Sequence, residues 1–247
     1  MISADDVKQY FSQKPVVQHY SEAANSVGLW ESEERIFQRV FPDHNTSLLE
    51  LGCGAGRIAF GLWESGYRKI MATDVSSAMV RETRRIAQVL EYGIFTQTAD
   101  ATRLPFEPDA FEGAIFGFNG LMQIPDREKR RQAMRETCRV LVPGSFFVFT
   151  SHDRESSNRQ KFWKRERELW KKNQQDPRLV DFGDLYYETP EGGWMFIHAP
   201  TPQEVRDDLE TCGFRVEATC LRSSVAVESE RVRNFSDECR FWVAQKL

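Results

Sequence analysis

The sequence predicts an α/β fold, a doubly wound and mostly parallel seven-stranded sheet. Three observations carry that expectation. Strand-like apolar runs alternate with amphipathic segments from Ser47 to Thr150. Glycines at 52, 54 and 56 directly follow the first run, and the alternation resumes beyond residue 200. Strands and helices in this order bury their apolar faces as a parallel sheet covered on both sides.

Each element has its own signal. Ser47–Leu51 is a short apolar strand. Ile58, Ala59, Leu62 and Trp63 then form a helical stripe. Lys69–Thr73 is the second strand, followed by Asp74, and Met79, Thr83, Ile86, Ala87 and Leu90 share one helical face. Gly93–Ala99 and Glu112–Phe118 read as strands three and four. Asp126 suits the start of a helix whose inner face is Ala133, Thr137, Val140 and Leu141, with Pro143–Gly144 as its stop. Ser145–Thr150 is a buried-type fifth strand. Thr201-Pro202-Gln203-Glu204 spells a capping box that opens a helix, and Phe214–Cys220 and Glu238–Gln245 supply two more strands.

One domain is expected over 1–247. Residues 1–45 form a helical lead-in with aromatics Tyr10, Phe11, Tyr20, Trp30, Phe37 and Phe41. Residues 46–150 and 201–247 form the core, and 151–200 an α-rich cap inserted after strand five. The 247 residues carry 33 Lys+Arg and 37 Asp+Glu, a net charge of −4 that gives no reason to expect a polyanion partner. No apolar run reaches the roughly 18 residues of a membrane helix, and the acidic start resembles no leader. The five cysteines are widely spaced, without a C-x-x-C pair, and the four histidines are scattered. The expectation is a cytoplasmic protein with reduced thiols, no metal site, and a monomer or homodimer.

The chemistry-bearing segment is Glu50-Leu51-Gly52-Cys53-Gly54-Ala55-Gly56-Arg57. Glycines between a strand and a helix permit a tight turn and a close approach of backbone to ligand. Asp74 ends the next strand, where a doubly wound sheet places a carboxylate against ribose hydroxyls. A nucleoside ligand follows. A nicotinamide dinucleotide fits poorly, because Arg57 stands where the third glycine of its loop belongs.

The run E-L-G-C-G-A-G-R resembles motif I of the class I S-adenosylmethionine-dependent methyltransferases. Asp74, the Ala99-Asp100-Ala101 and Leu104-Pro105-Phe106 runs, strand four and the segment RVLVPGSFFVFT follow in that family's order, over about residues 45–150. The resemblance implies a Rossmann-like fold and S-adenosylmethionine as cofactor. It implies that Gly52, Cys53, Gly54 and Gly56 form the loop beside its methionine part, with Glu50 supporting the loop and the amino group. Asp74 would bind the ribose and Val75 would pack on adenine. Asp100 and the Ala101 N–H would read the adenine edge, and Phe118 and Asn119 would border the sulfonium and the acceptor.

The expected activity is in-line methyl transfer to an oxygen or nitrogen of a small-molecule acceptor. A general base is optional, and His152, just past strand five, and His198 are the candidates. Two alternatives stay open: an RNA (tRNA) methyltransferase, and a non-catalytic cofactor- or RNA-binding module. Both draw on residues 154–172, which hold eight Lys/Arg against three Asp/Glu with interleaved aromatics. Phe162/Leu169 and Trp163/Trp170 at i, i+7 read more readily as a helix packing one face while solvating the other.

Overall fold

The computed structural model describes residues 1–156 and 159–247. Three helices lead in: α1 (Ala4–Tyr10), α2 (Lys14–Ser26) and α3 (Glu31–Val40). β1 (Leu48–Leu51), α4 (Arg57–Glu64), β2 (Ile70–Asp74), α5 (Ser77–Val89), β3 (Phe95–Thr98) and β4 (Phe111–Phe116) then alternate. A 3-10 turn (Gly120–Gln123) leads to α6 (Arg127–Val140) and β5 (Leu141–Ser151). After β5 come α7 (Gln160–Lys171), β6 (Asp184–Glu188) and β7 (Trp194–His198). The chain closes with α8 (Pro202–Thr211), β8 (Phe214–Leu221), α9 (Arg222–Val225), α10 (Glu230–Phe235) and β9 (Arg240–Lys246).

The main sheet has seven strands in the order β3-β2-β1-β4-β5-β9-β8. All neighbours are parallel except β9, which runs antiparallel to both β5 and β8. Successive strand residues point to opposite faces, and the two cores divide accordingly. Leu49, Leu51, Ala114, Phe116, Phe147, Phe149, Trp242 and Ala244 join one core with residues of α6 and α8. Leu48, Ile115, Val148, Phe241 and Val243 join the other with residues of α3, α4 and α10. Strands buried on both faces read as continuous apolar runs, which is why SFFVFT was legible as a strand.

The caps formed as expected. Thr201 accepts from the Glu204 N–H in a complete capping box, and Asp126 accepts from the Glu128 N–H at 2.7 Å. Two expectations need correction. The helix before strand five ends at Val140, ahead of Pro143–Gly144, which instead occupy a register shift between β5 and β4. The insertion is not α-rich throughout. Among its described residues α7 is the one α-helix, and the aromatic, Gly-containing stretch pairs as the antiparallel hairpin β6–β7. Gly192 and Gly193, at φ +84° and +86°, lie in the connection between the two strands, where the left-handed backbone suits glycine.

The basic segment also resolves locally. Trp163 is buried and Trp170 packs edge-on to Phe182, while Arg154 pairs with Glu204 and Lys171 with Glu168. Ser157 and Asn158, which fall in that segment, lie outside the described residues. No helix among the described residues is long and apolar enough to cross a membrane.

Candidate functional site

The carboxyl ends of β1, β2 and β4 open into a cavity of about 220 Å³. Its floor is the loop after β1. Cys53 N–H donates to the Thr73 carbonyl at 2.8 Å, and the Thr83 hydroxyl donates to the Gly54 carbonyl at 2.7 Å. The loop is thereby fixed to β2 and α5. Gly54 N–H donates to Asp74 Oδ2 at 2.9 Å, and Ser76 N–H to Oδ1 at 2.8 Å, so glycine loop and carboxylate form one unit.

Two glycines are required by their surroundings. Gly52 has φ +62°, and a Cβ there would lie 2.6 Å from the Phe116 ring. Gly54 has φ +55° and faces the cavity, with Tyr20 as the nearest neighbour at 3.5 Å. Gly56 differs: it is the left-handed N-cap of α4, and it does not line the cavity.

The electrostatics are set by burial. Glu50 lines the cavity at 2% exposure, and its Oε2 has no hydrogen-bond partner. Burial pushes its carboxyl up to about 8, against the pull of Arg57. Burial likewise lifts Asp74 to about 6, although the Ser76 and Gly54 N–H groups favour its charge. Burial raises the Cys53 thiol well above its usual range, which suits a packed side chain and not a nucleophile. Arg57 is consumed by Glu33, whose two oxygens it meets at 2.6 and 2.7 Å, and it lies 4.7 Å over the Trp30 ring.

Val75, Asp100, Ala101 and Phe118 line the same cavity, so most of the expected cofactor residues converge there. Asp100 is exposed, and its Oδ1 accepts from both the Thr102 N–H and hydroxyl at 2.8 Å. Asn119 does not line this cavity. It follows Phe118, both residues lie in the left-handed region at φ +50° and +59°, and its Oδ1 is buried without a partner.

The lead-in helices make the roof, which sequence reasoning missed. Ala4, Val7, Phe11, Tyr20 and Ala23 line the cavity. They are pinned across it where Ser76 Oγ donates to the Phe11 carbonyl at 3.0 Å and Ser21 Oγ to Glu82 at 2.8 Å. Tyr20 meets Phe118 edge-on, and Phe118 stacks on Phe235 with centroids 4.9 Å apart. The aromatic content of residues 1–45 was visible, but no spacing told which aromatics would face a ligand.

Among the described residues none of 151–200 lines this cavity, so its roof is the lead-in and not the insertion. The hairpin instead braces the roof from outside: Tyr10 donates to Thr189 Oγ1 at 3.2 Å, and Met195 packs on the Tyr10–Val16–Met79 cluster. The two histidine candidates separate. His198 is buried at 1% exposure, with Nδ1 at 2.8 Å from Asp184 and Nε2 at 3.3 Å from Glu204. With both ring nitrogens engaged in the framework, the expectation of a base at His198 is corrected. His152 lines a second cavity. No group of three or more metal-ligating side chains occurs among the described residues.

Residues 48–144 match the protein family described as Methyltransferase domain. A ubiquinone/menaquinone biosynthesis C-methyltransferase from Rickettsia massiliae is 29% identical over 129 residues, covering 49% of this chain and 48% of that protein. Methyltransferase GfsG from Streptomyces halstedii is 31% identical over 113 residues, covering 45% of this chain and 39% of that protein. The chain spans about half the length of the first of these relatives and less of the second. The crystal structure of a SAM-dependent methyltransferase from Methanosarcina mazei shares the fold, with a TM-score of 0.68 and 21% identity over 86% of this chain and 97% of that one. The matched segment contains the glycine loop, Asp74 and Asp100, the residues that the geometry brings together on one cavity, and this chain is similar over that segment to methyltransferases.

Proposed function

We propose that the protein transfers a methyl group from S-adenosylmethionine to an oxygen or nitrogen of a small-molecule acceptor. The observation that carries this reading is the convergence of the glycine loop, Asp74 and Asp100 on one roofed, largely apolar cavity. The lining fits a nucleoside joined to an amino acid. Asp74 offers a carboxylate for paired hydroxyls, Val75 and Ala101 offer flat apolar contact, and Glu50 Oε2 is an unpartnered buried acceptor for an ammonium group. Because Arg57 is held by Glu33, its charge is not free for a pyrophosphate.

The cofactor supplies an electrophilic methyl group on a sulfonium. The chain's own work is alignment and exclusion of water. Tyr20, Phe118 and Phe235 form an aromatic wall that desolvates the reacting centre and favours a cation against ring faces. A roofed cavity supports a small acceptor over a polynucleotide. The test is thermal denaturation with S-adenosylmethionine, S-adenosylhomocysteine and NAD. The first two should raise the melting temperature by mass action; a rise with NAD alone would overturn the reading.

A further inference from the structure

A second cavity, of about 110 Å³, lies beside the first. Asn119 stands between them: Phe118 and Gly120 line the first, and Asn119 Nδ2 lies 3.5 Å from Nε2 of His152, which lines the second. The chain crosses the same divide again, with Phe235 on the first cavity and Asp237 on the second. The second cavity has an apolar end made by Trp163, Leu185, Ile197 and Ala199, all from the insertion. His152, Arg159, Tyr187 and Glu238 also line it.

The ring of His152 is oriented by its surroundings. Nδ1 lies 3.2 Å from the Glu238 carbonyl oxygen, which can only accept, so Nδ1 carries the proton and Nε2 keeps its lone pair. Nε2 therefore faces Asn119, whose buried Oδ1 has no partner. At 3.5 Å the Asn119–His152 contact is long, and an acceptor hydroxyl could replace it with two good hydrogen bonds. Two consecutive non-glycine residues with positive φ at this point are strain retained in the wall between two cavities.

We infer that the second cavity is the acceptor chamber, that it takes a neutral single-ring phenol, and that His152 Nε2 is the base for its hydroxyl. This rests on the methyltransferase reading and extends it. The acidic side chains of the chamber are already engaged: Asp153 with Arg240, Asp237 with Arg159, and Glu238 with the Ser223 and Cys239 N–H groups. Arg159, a cation on the chamber wall, is held by Asp237 and is not free for a carboxylate acceptor, and an ammonium has no lone pair to give. A phenol offers a flat ring for the apolar end and one weakly acidic O–H for Nε2. Its oxygen forms a bond to the methyl carbon as the carbon–sulfur bond breaks with its electron pair staying on sulfur. The phenolic proton passes to Nε2 and then to solvent. Burial holds the His152 imidazole below its usual range, with the Glu238 carbonyl and Asp237 opposing and Arg159 and Arg222 reinforcing. The ring is thus neutral, and able to accept, at pH 7.

The test uses the full chain saturated with S-adenosylhomocysteine and 4-fluorophenol as probe, following the Trp163 indole and His152 ring resonances. Saturable binding that shifts both is expected. Ala199→Leu, which fills the apolar end, should weaken it at least tenfold while S-adenosylhomocysteine affinity stays within threefold. Leu185→Trp serves the same purpose if Ala199→Leu does not fold. With S-adenosylmethionine, His152→Phe should keep binding the probe but lose methylation at least 100-fold, together with the acid limb of the pH–rate profile. No binding, binding indifferent to both filling variants, or no methylation of a bound probe would each overturn the inference and leave the cofactor reading intact. Failure to bind S-adenosylhomocysteine would remove both.

Discussion

Replacing Glu50 by Gln should stabilise the ligand-free protein by an amount that grows with pH. In the native protein the Glu50 carboxyl ionises at about 8, whereas the ordinary value is 4.5. Between those two pH values the native state holds a proton that the unfolded chain has released. Stability therefore falls as pH rises through the interval, by about 1.4 kcal/mol per pH unit. At pH 7 the wild-type protein carries a penalty on the order of 3 kcal/mol relative to a neutral side chain of the same shape. Glutamine is that side chain, and its amide keeps an acceptor oxygen. Urea denaturation of both proteins at several pH values from 5 to 7.5 gives the difference directly, and other titrating groups cancel in it. The stability gap should widen toward neutral pH, with Glu50→Gln the more stable. A gap that stays constant with pH would refute the assignment of a protonated Glu50. Since an ionised Glu50 is the better partner for an ammonium, S-adenosylhomocysteine should bind the wild type more tightly from pH 6 to pH 8, and Glu50→Gln should lack that rise.

Asp74→Ala removes an acceptor of charge-assisted hydrogen bonds worth about 1.5–3 kcal/mol each before solvent compensation, so calorimetry should show S-adenosylhomocysteine binding at least tenfold weaker. Gly54→Val combines a β-branched side chain with φ +55° in the cavity floor; circular dichroism should show a folded protein and calorimetry no binding. Removing residues 1–26 strips the roof containing Phe11 and Tyr20, and ligand affinity should collapse, whereas replacing 154–196 with a Gly/Ser linker should keep it within about tenfold, roughly 1.4 kcal/mol. His198→Leu leaves the buried Asp184 without its partner, and the expected loss is about 3–5 kcal/mol of stability with unchanged ligand affinity.

The sheet was legible in the sequence because its central strands are buried on both faces and its helices carry one apolar stripe each. The glycine loop was legible as a turn because glycine identity reports backbone conformation directly. What stayed hidden depends on contacts between distant segments. Tyr20 and Phe235 are 215 residues apart, yet both flank Phe118, and no local pattern encodes that meeting. His152 and His198 looked alike as lone histidines near the insertion. Their difference lies in partners at 14 and 86 positions' distance, a carboxylate for one and a backbone carbonyl for the other. The hairpin was missed because DLYYE and WMFIH show no period-two alternation, burial instead changing from one end of each strand to the other.

The position of β9 constrains how the chain can reach this structure. β9 lies between β5 and β8, and both of those strands are made before it. Until residues 240–246 arrive, β8 has no sheet partner, and β5 keeps an open edge lined by Phe147 and Phe149. Completing the sheet therefore closes the separation between Phe146 and Gln245, a long-range pairing of the kind that slows folding. The parallel half, β3 to β5, can form earlier, and during that interval its open edge is the surface on which a chaperone or a second nascent chain would act.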